Sequence, residues 1–210
     1  MMMVCWCVVG MQAQGLKHEG TTVDELVPAE WEHIEAIGDL DNDGINDVAL
    51  IVTPNYKEHL IVRDDGYVYN LNQPILAIYV GRSQGGYQLW RQCDTMFRVG
   101  DEICSYDRTM EITDRHVLRI VVEPFCSMGS YGTDRSTYSY RYQNGDFFLI
   151  GMENESMQRN SGERKKVSEN YLTWRRQTIT DNVFEENVRA VEKWSRLTKK
   201  ALEKLGDREL

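Results

Sequence analysis

The sequence predicts a mainly β fold, an antiparallel domain built from hairpins and followed by a C-terminal helix. Short runs that are either apolar or alternate between apolar and polar residues recur between residues 31 and 180. Turns rich in glycine, asparagine and aspartate separate these runs. The apolar spacing lengthens to three to five residues only after Asp181. A period of two is typical of strands, and a period near 3.6 is typical of helices.

The first half of the chain supplies six predicted strands. A single helical turn near Thr22, limited by Pro28, precedes them. The continuous apolar run at residues 48–52 favours a central strand that is buried on both faces. A glycine-bearing loop at residues 81–86 joins two of the strands into a hairpin. The predicted strands cover residues 31–37, 48–52, 75–80, 87–92, 109–113 and 116–122.

The clearest hairpin covers residues 136–151, with Asn144 and Gly145 as its two-residue turn. This turn places Tyr142 opposite Phe147 and Tyr140 opposite Leu149, so these side chains share one face with Tyr138. Such an aromatic stripe is more often part of a core than a platform for sugars.

The last part of the chain changes character. Residues 157–169 are polar and charged, which predicts an exposed loop, and residues 171–180 restart a strand. A helix is then predicted over residues 182–205, capped by Asp181 or Asn182 and ended by Gly206. The domain boundaries are therefore a β-rich unit at 14–180 and a helix at 181–210 packed on it. The apolar residues of this helix are Phe184, Val188, Val191, Trp194, Leu197 and Leu202.

Residues 1–13 are apolar and uncharged, which predicts a secretory signal peptide with Ala13 at the cleavage point. The usual basic segment before the apolar run is missing, so a buried or disordered N-terminus is the alternative. The run is too short for a transmembrane helix, which needs about 20 apolar residues. We therefore expect an exported protein with no transmembrane segment, in the periplasm, at the outer membrane or outside the cell.

Composition is that of a globular protein with a sizeable core. Of 210 residues, 41% are hydrophobic and 27% are charged. The net charge of −9 argues against non-specific binding to nucleic acid or to anionic membranes.

Three cysteines remain after the predicted signal peptide: Cys93, Cys104 and Cys126. At most one internal disulfide can form among them, and Cys93 with Cys104 is the nearest pair in sequence. Three unpaired thiols are an equal alternative. Their spacings match no zinc site.

The strongest signal is an acidic loop at residues 39–47, which carries four aspartates in nine positions around Gly44. Hard oxygen ligands in a short loop suit Ca²⁺, which takes 6–8 oxygens in flexible geometry. The predicted ligands are the side chains of Asp39, Asp41, Asp43 and Asp47 and the backbone carbonyl of Ile45. An EF-hand is excluded, because Leu50 stands at the twelfth position, where a glutamate is required, and strands flank the loop.

Recognised catalytic patterns are absent from the sequence. The four histidines, His18, His33, His59 and His116, lie at no metal-ligand spacing. There is no nucleophile elbow, HExxH or phosphate-binding glycine loop. A thiol–imidazole pair of Cys126 and His116 is conceivable, but nothing else supports it.

Residues 38–50, GDLDNDGINDVAL, resemble the calcium loop of the FG-GAP/VCBS repeats found in integrin-like β-propellers. Asp39, Asp41, Asp43 and Asp47 match the ligand positions of that family, and residues 79–87 are similar to the hairpin that follows such loops. The resemblance implies a Ca²⁺ site. A closed propeller needs at least four blades of four strands, whereas this loop occurs once, so a propeller-like fragment or a sandwich is expected instead.

The remainder of the chain resembles a family of uncharacterised exported proteins from Bacteroidetes-type bacteria. The similar segments are residues 129–132 and 140–151. This resemblance implies export from the cytoplasm and a fold class, but it implies no activity.

Three functions follow from these observations. The first is a non-catalytic exported protein with a structural Ca²⁺, which binds a protein or a glycan at the cell envelope. The second is a carbohydrate-binding module that uses Trp90, Trp174 or the stripe of Tyr138, Tyr140 and Tyr142. The third is an envelope hydrolase or hydrolase inhibitor without a recognisable motif.

Overall fold

The structure is a computed structural model that describes residues 15–127, 131–185 and 189–210. Its strands form two antiparallel sheets, of five and seven strands, and a separate two-stranded hairpin. The predicted mainly β, antiparallel, hairpin-built fold is confirmed, and neither large sheet closes on itself. The predicted signal peptide at 1–13 lies outside the described residues. No helix in the described part of the chain is long and apolar enough to span a bilayer.

The elements follow each other along the chain with mostly short connections. A helical turn, α1 (Val23–Leu26), follows the first strand, and a 3₁₀ turn (Lys57–His59) precedes the fourth. The strands are β1 (Glu19–Gly20), β2 (Glu32–Gly38), β3 (Asp47–Thr53), β4 (Leu60–Val62), β5 (Val68–Asn70), β6 (Ile75–Gly81), β7 (Tyr87–Cys93), β8 (Cys104–Thr113), β9 (Val117–Cys126), β10 (Gly132–Gln143), β11 (Asp146–Gln158), β12 (Glu163–Asn170), β13 (Arg175–Asn182) and β14 (Val191–Arg196).

The five-stranded sheet has the order β1-β7-β6-β3-β2. Its strand β3 is buried on both faces, which explains the continuous apolar run in the sequence. One face packs Val48, Leu50 and Val52 against Trp31 and the α1 region. The opposite face turns Ala49 and Ile51, with Leu76 and Ile78 of β6, into the main core.

The seven-stranded sheet is a meander in which each strand pairs with the next, from β8 to β14. Its β10–β11 hairpin has the predicted register, with Tyr142 opposite Phe147 and Tyr140 opposite Leu149. Tyr140 and Phe147 are fully buried, so the aromatic stripe is core, as the sequence favoured. Trp90 of the other sheet lies edge-on to these rings, with its centroid 4.4 Å from that of Tyr142 and 4.9 Å from that of Phe147.

The predicted C-terminal helix is wrong. Residues 191–196 form β14, which pairs with β13, and residues 197–203 form no regular element. The side chain of Asn182 accepts a hydrogen bond from the amide of Phe184 at 2.9 Å within a turn and caps no helix. The edge of β13 supplies hydrogen-bond partners for the backbone amides and carbonyls of this segment. The segment therefore forms a strand although its apolar spacing is that of a helix. Val188, one of the spaced apolar residues, lies outside the described residues.

The predicted exposed loop at 157–169 is also wrong. Strand β11 extends to Gln158, and β12 occupies Glu163–Asn170 in the middle of the sheet. Cross-strand ion pairs such as Lys166–Glu153 (2.8 Å) and Arg164–Asp181 hold it there. Its polar sequence reflects one solvent-facing side of the sheet.

The disulfide does not join the two cysteines that are nearest in sequence, Cys93 and Cys104. Cys104 and Cys126 lie opposite each other on β8 and β9 and form a disulfide. Cys93 is a free, partly buried thiol on β7.

Candidate metal centre

The acidic loop connects β2 to β3, two neighbouring antiparallel strands. Asp39, Asp41 and Asp43 each place a carboxylate oxygen in one group, with all three atoms within 4.8 Å of one another. Ligand oxygens bound to one Ca²⁺ at about 2.4 Å lie at most about 4.8 Å apart, so a single ion can bind all three. Carboxylate oxygens are donors that hard cations such as Ca²⁺, Mg²⁺ and Mn²⁺ prefer, so this group could hold an ion of that class.

The backbone of the loop is curled around these carboxylates. Asn42 and Gly44 have positive φ angles of 66° and 86°, and such angles turn successive amides inward. The amides of Asn42 and Gly44 donate to the two oxygens of Asp39 at 2.6 Å and 3.0 Å. The amide of Ile45 donates to Asp43 at 2.7 Å. The loop is therefore held in a closed form by its own aspartates.

Asp47 has a different place from the other three aspartates. Its side chain is fully buried at the start of β3. One oxygen accepts a hydrogen bond from the amide of Leu40 at 2.8 Å, and the other accepts one from the amide of Gly81 at 2.9 Å. Asp47 thus ties the loop's beginning to the end of β6. Ligation of an ion by Asp47 and by the carbonyl of Ile45 stays a prediction.

Gly81 permits this contact because it has no side chain. A Cβ atom at Gly81 would lie 2.2 Å from the carbonyl oxygen of Asn46 and 2.8 Å from Cγ2 of Ile45. The sequence marks Gly81 as a turn residue, but no local pattern links it to a loop more than 30 positions earlier. Only the pairing of β3 with β6 brings the two together.

The aspartates differ in how readily they ionise. Burial opposes ionisation of Asp39, but the amides of Gly44, Asn42 and Asp43 outweigh it and lower its pKa. Burial and then the negative charge of Asp43 raise the pKa of Asp41. Burial also raises the pKa of Asp47, against the two amides that favour its charged form. A cation among these groups would relieve the repulsion.

A histidine from the other sheet reaches the same loop. His116, in the turn between β8 and β9, has φ of 56°, and its Nδ1 lies 2.8 Å from the backbone oxygen of Asp39. The same nitrogen is 3.7 Å from Oδ2 of Asp39. The sequence predicts His116 at the start of a strand and gives no sign of this contact, since no local pattern pairs residues 77 positions apart. The acidic loop therefore lies where the two sheets meet.

The thiol–imidazole pair does not form, and the candidate sugar-binding tryptophans pack partly into the core. Cys126 is bonded to Cys104, so it cannot act as a thiol beside His116. Trp90 packs against the main core, and Trp174 packs there too, with its ring centroid 6.0 Å from that of Tyr171. Trp90 and Trp174 are thus only partly buried, and Trp174 also lines a surface cavity with Arg175 and Trp194.

Comparison with known proteins assigns this chain to no family. No protein-family model matches the chain, and neither a curated protein nor a solved structure matches it.

Proposed function

We propose that this chain is a non-catalytic, exported binding module whose acidic loop holds a structural Ca²⁺. The ion is bound by Asp39, Asp41 and Asp43, with the Ile45 carbonyl and Asp47 completing the site. The observation that carries this proposal is the convergence of three carboxylates within 4.8 Å, in a strand-flanked loop that resembles FG-GAP calcium loops.

The position of the loop supports a structural role for the ion. Asp39 contacts His116 of the seven-stranded sheet, and Asp47 binds the amide of Gly81 in the five-stranded sheet. An ion that neutralises the loop stabilises the strand connection and the joint between the sheets together. It leaves the rest of the surface free for a partner, a protein or a glycan at the cell envelope.

Two features support export. Residues 1–13 have the composition of a signal peptide. The Cys104–Cys126 disulfide suits an oxidising compartment, where such bonds persist.

Thermal unfolding with and without calcium tests the proposal. We expect EDTA to lower the Tm and added Ca²⁺ to restore it, with Mg²⁺ less effective because it demands near-ideal octahedral geometry. Calcium at 100 times its Kd would add about 2.7 kcal/mol to the free energy of unfolding. An unchanged Tm, with no calcium found by elemental analysis, would exclude the site.

Charge-neutral variants separate ion binding from folding. Asp41→Asn with Asp43→Asn removes two ligands and also their mutual repulsion. We expect it to unfold in EDTA at or above the Tm of the wild type, but to lose the response to Ca²⁺. The matched control is Asp64→Asn with Asp65→Asn in the exposed turn before β5, which keeps the full response.

A further inference from the structure

The face of the seven-stranded sheet opposite the core carries a continuous row of side chains across all seven strands. Residues directly opposite each other in a sheet point to the same side. The register therefore places on one face the row Thr109, Val121, Thr137, Glu153, Ser168, Gln177 and Trp194. Five of the seven are polar or charged, and the row ends in an indole.

A second row lies beside the first, two residues along each strand. It consists of Glu111, Arg119, Ser139, Gly151, Asn170, Arg175 and Arg196. Its middle positions are occupied by the short side chain of Ser139 and by Gly151. Longer residues stand on both sides, so the two rows form a trough.

Three cavities of about 390, 380 and 800 Å³ lie along this trough. The first two share Arg119, Thr137 and Glu153 in their walls. The second and third share Thr173, Arg175 and Trp194. The shared walls make the cavities one continuous path from β8 to β14, long enough for several sugar units.

Charges in the first part of the trough are internally matched. Arg119 pairs with Glu111 at 2.7 Å, and Lys166 pairs with Glu153 at 2.8 Å. Ser168 also donates to Glu153, at 3.0 Å. This stretch therefore presents hydrogen-bonding groups with little net charge, which suits hydroxyl groups.

The β14 end of the trough is aromatic and basic. The Trp194 side chain is 54% exposed, with the guanidinium carbon of Arg175 4.6 Å from its ring centroid. The indole N–H donates to Glu192, and Gln177 donates to the same carboxylate oxygen at 2.9 Å, so the ring is held in place. Arg175, Arg196 and Lys199 line the 800 Å³ cavity, and among the described residues the nearby carboxylate is that of Glu192, which is bonded to Trp194 and Gln177. Three cations in one cavity, on a chain of net charge −9, favour an anionic ligand there.

We propose that this trough binds an oligosaccharide that carries uronic acid residues. One sugar ring lies against Trp194, its carboxylate pairs with Arg175, Arg196 and Lys199, and the hydroxyls of the following rings bond to the polar row. The proposal rests on the proposed function as a binding module and names its ligand class. The aromatic contact falls to Trp194 of β14, a segment for which the sequence predicts a helix.

Titration with defined hexasaccharides tests the proposal. Hexagalacturonate and hexamannuronate are added to the calcium-loaded protein, and binding is measured by calorimetry and tryptophan fluorescence. We expect at least one of them to bind at least tenfold more tightly than maltohexaose, which is neutral and of equal length. Binding should weaken as salt is raised from 50 to 500 mM.

Variants locate the site. Trp194→Ala and the double variant Arg175→Gln with Arg196→Gln should each weaken binding at least tenfold, and Trp194→Phe should retain part of it. Phe125→Ala, an equally exposed aromatic on β9, and Lys57→Gln should bind as the wild type does. Thermal unfolding of each variant excludes loss of folding as the cause.

The proposal would be overturned by no binding of either uronate or by equal binding of maltohexaose. Equal binding of tripolyphosphate would also overturn it, because it would indicate a general anion site. Uronate binding that Trp194→Ala leaves unchanged would place the site elsewhere and overturn it too. A protein that binds no uronate can still show the Tm response to Ca²⁺. Failure of the uronate proposal is therefore distinguishable from failure of the proposed Ca²⁺ site.

Discussion

Asp47 is the most buried carboxylate of the acidic loop. Burial raises its pKa, yet both of its oxygens accept backbone hydrogen bonds, from Leu40 and from Gly81. A buried amide without a partner costs about 1–3 kcal/mol. Asp47 therefore matters for folding whether or not an ion is bound.

Asp47→Asn tests this structural role. Asparagine offers one oxygen and one NH₂ group, so one of the two backbone amides loses its acceptor and faces another donor. We expect a loss of about 1–3 kcal/mol in the free energy of unfolding, measured by urea denaturation in EDTA.

Asp43→Asn is the control for that measurement, because Asp43 is exposed and accepts local amides only. It should change the free energy of unfolding by less than about 0.5 kcal/mol. Equal losses for the two variants would contradict a special role for Asp47.

At this residue scale the sequence was informative where the contacts are local. The carboxylates of Asp39, Asp41 and Asp43 meet because the loop that carries them is short, and their spacing alone predicted it. Asp47 bonds to Gly81, which lies 34 positions away in the sequence. Asp39 contacts His116, which lies 77 positions away. Both contacts depend on sheet pairing, which no local pattern encodes.

Single elements show the same limit. The Asn144–Gly145 turn determines the register of β10 and β11, so the sequence predicted their pairs correctly. Strand β14 has no such turn, and all of its residues are exposed. Val191 and Trp194 are three residues apart, so they lie on opposite sides of a strand. In a helix the same spacing would place them on one side, which is why the sequence predicts a helix here.

Strand β12 was missed for a different reason. Its charged residues are matched across the sheet, as in Lys166 with Glu153 and Arg176 with Glu169. Such cross-strand pairs stabilise a half-exposed strand by about 0.2–1 kcal/mol each. In sequence alone, the same charges are typical of a loop.

The disulfide between β8 and β9 gives a prediction at the scale of a hairpin. Cys104 and Cys126 close a loop with a sequence separation of 22 residues. Replacing both by serine should lower the free energy of unfolding by about 2–4 kcal/mol, chiefly because the unfolded chain gains freedom. The measurement is urea denaturation of the double variant beside the wild type.

Cys93→Ser is the matched control for this hairpin, since Cys93 takes part in no disulfide. It should not alter the response to a reducing agent, whereas the double serine variant should lose that response. Peptide mapping without reduction should find Cys104 linked to Cys126. Recovery of a Cys93–Cys104 peptide would contradict the structure.

At the scale of the whole molecule, the two sheets meet along β2 and β8 and across the rings around Trp90. Gly38, the last residue of β2, lies close against β8. A Cβ atom there would lie 2.7 Å from Cγ2 and 2.9 Å from Cβ of Ile112 on β8. Gly38 immediately precedes Asp39, so the joint between the sheets and the acidic loop adjoin each other in the chain.

A double-mutant cycle between Gly38 and Ile112 tests whether this contact holds the sheets together. Gly38→Ala should lower the free energy of unfolding by about 1–3 kcal/mol, because the added methyl forces β2 and β8 apart. Ile112→Ala removes Cγ2, the nearer of the two atoms that the new Cβ would strike, and so relieves part of the clash. The loss of the double variant should therefore be smaller than the sum of the two single losses, by about 1 kcal/mol.

The control for this cycle pairs Gly38→Ala with Ile61→Ala, an exposed residue of the separate β4–β5 hairpin, where the losses should add. Strict additivity of Gly38→Ala with Ile112→Ala would mean that the sheets tolerate a wider joint. If the calcium-bound protein shows a larger coupling than the protein in EDTA, the ion and the joint stabilise each other. That result follows from a loop whose first aspartate contacts both the carboxylate cluster and His116 of the opposite sheet.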